Sequence, residues 1–137
     1  MTTINMQTMR YINLLSKLTK IHTRNCFVYN DFVVFAVPAK LLSKAIGPAG
    51  KNVKALQDNL GKRVKIIADV KDVANAEKFV KAIVYPVEFV SLELKDNILV
   101  LTAGSRNKAA LIGRNRRRMI ELNKILEDNF GKELKII

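Results

Sequence analysis

Apolar positions along the chain switch between two spacings in a fixed order. Met6, Ile12, Leu15, Leu18 and Ile21 fall at helical intervals and predict a helix over residues 5–21. Two β-rich runs follow, at 26–29 and 32–37, and the Asn30-Asp31 pair between them suits a tight hairpin turn. Pro38 is placed to open a helix at its first position, and Gly47 to stop it. The stretch Gly47-Pro48-Ala49-Gly50 is too glycine-rich to continue that helix. Beyond it Val53, Leu56 and Leu60 stripe a further helix, Gly61 ends it, and a short strand is expected at 64–67.

The same order then returns. Asp72 is expected to cap a helix whose Val73, Ala76, Val80 and Ile83 share a face, with Pro86 blocking its continuation. Strands are expected at 87–94 and 98–103, about Asp96-Asn97. Ser105 is expected to cap the next helix, which Gly113-Arg114-Asn115-Arg116 interrupts. Met119, Leu122 and Leu126 stripe the helix after it, and a strand at 134–137 closes the sheet. Each half therefore reads α-β-β-α-α-β, an α+β fold with a three-stranded sheet covered by helices on one face. The division falls at 68–71, giving domains at 1–70 and 71–137 with a link too short to be a flexible tether.

Residue identities point to a duplication. Asp58-Asn59-Leu60-Gly61-Lys62-Arg63-Val64-Lys65-Ile66-Ile67 recurs as Asp128-Asn129-Phe130-Gly131-Lys132-Glu133-Leu134-Lys135-Ile136-Ile137, identical at seven of ten positions. Ile46-Gly47 aligns with Ile112-Gly113 at an offset of 66, while the C-terminal blocks are offset by 70. The second copy thus carries four extra residues between those landmarks, about one helical turn.

Charge changes the picture. The 137 residues hold 24 Lys and Arg against 12 Asp and Glu, a net charge of +12 that favours a polyanionic partner. Between residues 32 and 57 there is no acidic residue, but Lys40, Lys44, Lys51 and Lys54 lie there. Between 97 and 120 there is again none, against Arg106, Lys108, Arg114, Arg116, Arg117 and Arg118. Charge placed for solubility alone is interspersed, and these are two islands.

Each island surrounds a glycine turn. Glycines let backbone N–H groups come close to phosphate oxygens, and the helix that follows aims its positive end at the same spot. The candidate nucleic-acid-binding residues are Lys44, Ile46, Gly47, Pro48, Ala49, Gly50 and Lys51 in the first turn. In the second they are Lys108, Ile112, Gly113, Arg114, Asn115, Arg116 and Arg117. Ile46 with Val33, and Ile112 with Leu99, are expected to floor each site with apolar surface for unpaired bases. Gly47→Asp is expected to weaken binding and leave the fold intact.

The α-β-β-α-α-β order with Gly-x-x-Gly between the inner helices resembles the type II KH domain, which grips single-stranded nucleic acid. A tandem pair with almost no linker is similar to the paired KH module of the NusA family of transcription elongation and termination factors, and to its short archaeal members most. The residues that carry this are Met9-Arg10-Tyr11-Ile12, Lys44-Ala45-Ile46-Gly47-Pro48-Ala49-Gly50-Lys51-Asn52-Val53 and Leu60-Gly61-Lys62. The resemblance implies a single-stranded RNA-binding factor that acts with RNA polymerase, but the direct polymerase contact of bacterial members, made through a further N-terminal domain, does not carry over to this chain. Two departures stand out: Pro48-Ala49 carries no charge within the first turn, and Arg116 replaces the last glycine of the second. A type II KH fold is also similar to that of ribosomal protein S3, so a ribosomal or ribosome-assembly protein is the alternative.

Other classes lose ground on composition. One cysteine, Cys26, allows no internal disulfide, and with one histidine, His22, it cannot build a structural zinc site. Cys26 is expected to be a buried strand residue and His22 to end a helix. Acidic residues fall at turns and caps or on outer faces, and no P-loop spacing is present, so neither catalysis, a cofactor nor a small-molecule substrate is expected. The N-terminal residues lack the apolar core of a signal peptide and no run is long enough to span a bilayer, so a cytoplasmic protein without membrane contact is expected.

Overall fold

The structure, a computed structural model, describes residues 5–137. They divide into two compact units, one ending at Asp69 and the other beginning at Val70.

The first unit opens with α1 (Met6–Thr19). Its cap is reciprocal: Asn5 Oδ1 accepts from Thr8 N at 2.8 Å and Thr8 Oγ1 accepts from Asn5 N at 3.0 Å, which satisfies two otherwise orphaned donors. The buried face is Thr8, Tyr11, Leu15 and Thr19, so Met6 and Leu18, expected on that face, are instead exposed. His22 lies past the helix end and reaches back to Ser16, Oγ to Nδ1 at 2.9 Å. β1 (Asn25–Tyr29) and β2 (Phe32–Val37) pair antiparallel, with Val28 opposite Val33. Asn30 and Asp31 both take positive φ, 51° and 64°, the conformation a two-residue primed hairpin turn needs.

Pro38 does not open the next helix as expected. Its ψ of 135° keeps it extended, a 3₁₀ turn follows at Ala39–Leu41, and α2 covers only Leu42–Ile46. After the glycine turn come α3 (Lys51–Leu60) and β3 (Arg63–Ala68), which pairs parallel with β2. The core forms where Tyr11 and Leu15 of α1, Ala45 of α2 and Leu56 of α3 meet Val33, Phe35 and Val37 of β2. Full burial of a leucine such as Leu56 stabilises by about 1.5–3 kcal/mol.

The second unit repeats the plan. Asp72 does cap, accepting from Ala74 N at 3.0 Å, but over a 3₁₀ turn at Val73–Asn75 that leads into α4 (Ala76–Val84). Residues 87–90, expected in a strand, lie outside it, and β4 is Ser91–Lys95. β4 pairs antiparallel with β5 (Ile98–Thr102) about Asp96 and Asn97, again both at positive φ. α5 (Lys108–Ile112) begins later than a Ser105 cap implies, because Gly104 O accepts from both Asn107 N and Lys108 N and holds 105–107 as a turn. α6 (Arg117–Phe130) and β6 (Glu133–Ile136) complete the unit, with β6 parallel to β5. Phe79 of α4 meets Phe130 of α6 edge-on, centroids 5.7 Å apart.

The extra turn of the second copy lies in α6, which has 14 residues against 10 in α3. Gln57 Oε1 accepts from Val64 N at 3.1 Å, and Asn123 Oδ1 accepts from Leu134 N at 2.8 Å. The same side-chain bridge to the last strand survives in both units, so the four added residues fall after Asn123. Two three-stranded sheets with helices make an α+β architecture compatible with KH-like domains.

Candidate nucleic-acid interface

In each unit a short helix, a four-residue turn and a longer helix bring the basic residues to one place. The two turns share a backbone path. Gly47 has φ 80°, ψ 167° and Gly113 has φ 77°, ψ 171°. Ala49 sits at 53°, 29° and Asn115 at 55°, 30°. Gly50 sits at 73°, 22° and Arg116 at 61°, 18°. Replacing the last glycine by arginine has therefore not changed the turn. Each turn holds two consecutive left-handed residues after its first pair, one well suited to that conformation (Gly50, Asn115) and one strained by it (Ala49, Arg116).

The first glycine of each turn is held by packing. A Cβ on Gly47 would meet Asn52 Nδ2 at 3.0 Å and Asn52 N at 3.1 Å, and one on Gly113 would meet Arg118 Cγ at 2.8 Å and Arg118 N at 3.0 Å. Those neighbours are there for a reason. Asn52 Nδ2 donates to Lys44 O at 3.1 Å, and Arg118 Nη1 donates to Ala110 O at 3.1 Å. Both bonds satisfy a carbonyl in the last turn of the short helix, where no intrahelical donor remains. Gly47→Asp thus presses on this bond as well as on any ligand, contrary to the expectation that the fold would ignore it. At Gly50 a Cβ would meet nothing within 4 Å.

Lys44, Pro48, Ala49 and Lys51 are exposed in the first turn, with Ile46, Gly47 and Gly50 half-buried. Lys108, Arg114, Asn115, Arg116 and Arg117 are exposed around the second, with Ile112 and Gly113 half-buried. Arg118 is the member of the second island that turns inward. Val33 and Leu99, expected beside the turns as floor, are 0% and 2% exposed, so of the expected floor residues Ile46 and Ile112 alone keep partial exposure. The turn amides are also partly engaged: Gly50 N donates to Gly47 O at 3.1 Å, Arg116 N to Gly113 O at 3.2 Å, and Lys51 N to Pro48 O. What the turns present outward is cationic side chains and the positive ends of α3 and α6.

Elsewhere the chemistry is quiet. Burial pushes the Cys26 thiol up to about 12, which makes it inert. Among the described residues no group of three or more His, Cys, Asp or Glu could hold a metal ion. No described helix is long and apolar enough to cross a membrane.

No family model matches the chain. The chain is 27% identical over 114 residues to a probable transcription termination protein NusA of Methanococcus vannielii, covering 80% of this chain. That match spans 64% of the relative, less than two thirds of its length. It is also 27% identical over 131 residues to a probable transcription termination protein NusA of Halococcus morrhuae, covering 93% of this chain and 92% of that one. Among solved structures it is similar to the crystal structure of APE1850, at a TM-score of 0.67 and 25% identity, over 98% of this chain and 100% of that one.

Proposed function

We propose that this chain is a NusA-like transcription elongation or termination factor that binds single-stranded RNA through two tandem type II KH domains, residues 1–70 and 71–137. The observation that carries the proposal is the recurrence of one turn, with matched backbone angles, inside two basic stretches free of acidic residues. Similarity to two proteins named as probable NusA supports the transcriptional role. In this reading Lys44, Ile46, Gly47, Pro48, Ala49, Gly50 and Lys51 hold one stretch of RNA backbone. Lys108, Ile112, Gly113, Arg114, Asn115, Arg116 and Arg117 hold another.

The physical rationale is electrostatic. Phosphates docking on cationic side chains release condensed counterions, so affinity falls with salt. Single strands are preferred because bases lie open to Ile46 and Ile112 only when unpaired. RNA polymerase is the protein partner this role implies. The test is competition of a labelled short single-stranded RNA against duplex RNA and duplex DNA at two salt concentrations. Preference for the single strand with a clear salt slope supports the proposal. Preference for duplex, or binding indifferent to salt, counts against it.

A further inference from the structure

We infer that the two turns hold RNA by different means: the first by close approach of a phosphate to the backbone at Gly50, the second by the guanidinium of Arg116. The inference rests on the proposal that both turns bind RNA.

Gly50 and Arg116 occupy the same left-handed backbone position, 73°, 22° and 61°, 18°. The turn therefore does not need a glycine there in order to form. Nor does packing demand one, since a Cβ on Gly50 would meet no atom within 4 Å. This contrasts with Gly47 and Gly113, where Asn52 and Arg118 fill the space. At Gly50, the residue before α3, that space is open, and Lys44 and Lys51 of the same turn are exposed. A phosphate can enter it to van der Waals contact with the backbone, close to the positive end of α3, where the field is strongest. In the second turn the Arg116 Cβ occupies that position, and the Arg116 side chain is exposed, as are Arg114 and Asn115. A phosphate there meets a mobile cation with planar, bidentate geometry, further from α6. The first contact depends on shape and a fixed dipole, the second on mobile charge and counterion release.

The two modes separate in a matched pair of substitutions in the full chain, read as affinity for a short oligouridylate at about 50 and about 200 mM salt. Gly50→Asn adds a Cβ with a residue that tolerates the left-handed region, and Gly50→Ala adds the Cβ alone. Both are expected to weaken binding on the order of tenfold at both salt concentrations, with the slope unchanged. Arg116→Ala is expected to weaken binding mainly at low salt and to flatten the slope by about 0.7. Circular dichroism confirms that each variant is folded. If Gly50→Asn binds as the unsubstituted chain does, or if positions 50 and 116 respond alike to salt, the division of labour is wrong. A triple variant, Lys44→Ala with Lys51→Ala and Arg114→Ala, tests the underlying reading separately. Unchanged affinity there overturns RNA binding at the turns, whereas lost affinity alongside like responses at 50 and 116 overturns only this inference.

Discussion

The Asn52 side chain bonds the Lys44 carbonyl at 3.1 Å from the far side of Gly47, so the turn is locked by a residue that follows it. Arg118 makes the same bond to Ala110 in the second unit, with a different side chain. A conserved geometry has thus been met by two chemistries. One of them withdraws a cation from the surface that the sequence alone counts as available.

That withdrawal separates the arginines of the second island. Arg118→Ala should lower stability by about 0.5–1.5 kcal/mol and leave the salt dependence of RNA binding unchanged. Arg114→Ala with Arg116→Ala should do the reverse, flattening the slope by about 1.4 with little loss of stability. Chemical denaturation and binding at several salt concentrations measure both. Equal slopes for the two variants would contradict this assignment.

The two glycines of the first turn should respond unequally to alanine. Gly47→Ala combines a positive-φ strain with a 3.0 Å approach to Asn52 and should destabilise by about 2–4 kcal/mol. Gly50→Ala meets only the strain and should cost about 1–2 kcal/mol. Urea midpoints compare them directly, and equal losses would remove the distinction.

Gln57 and Asn123 are expected to be equivalent despite the extra turn between their landmarks. Each satisfies the amide of a strand residue, Val64 and Leu134, that both copies share. Alanine at either should cost about 1 kcal/mol of stability. A loss at one position only would mean that the inserted turn has been placed wrongly.

Cys26 supplies a pH test. Its thiol stays protonated when folded, with a pKa pushed up to about 12 by burial, while the unfolded chain ionises near 9.0. Below the unfolded value the group has no effect. Above it the unfolded state loses a proton that the folded state keeps, so stability falls as pH rises, by at most about 1.4 kcal/mol per pH unit. Cys26→Ala should remove this part of the alkaline decline. A disulfide reagent at neutral pH should label Cys26 only after denaturant is added.

Much of this was legible in sequence because it depends on local rules. The hairpin pairs Asn30-Asp31 and Asp96-Asn97 both take the left-handed angles their residue types favour. The ten-residue repeat fixes α3 to β3 and α6 to β6. Sequence is silent where the answer depends on tertiary packing or on a partner further along the chain. β2 and β5 are apolar at almost every position, so the pattern does not say which residues face the helices, and only the packing shows that Val33 and Leu99 belong to the core. Met6 lies nine residues before Leu15, two and a half helical turns, and so falls on the face of α1 opposite the core. The lock from Asn52 to Lys44 spans eight residues and leaves no periodic signal. Pro38 and Ser105 are both plausible helix openers, and in each case a tighter turn intervenes before the α-helix begins.

The most direct test of RNA docking follows backbone amide resonances while a short single-stranded RNA is titrated into the full chain. The account predicts that Gly47, Gly50, Lys51, Gly113, Arg114 and Arg116 shift first and furthest, in step with saturation. Resonances of these residues that stay still while a different surface shifts would contradict it.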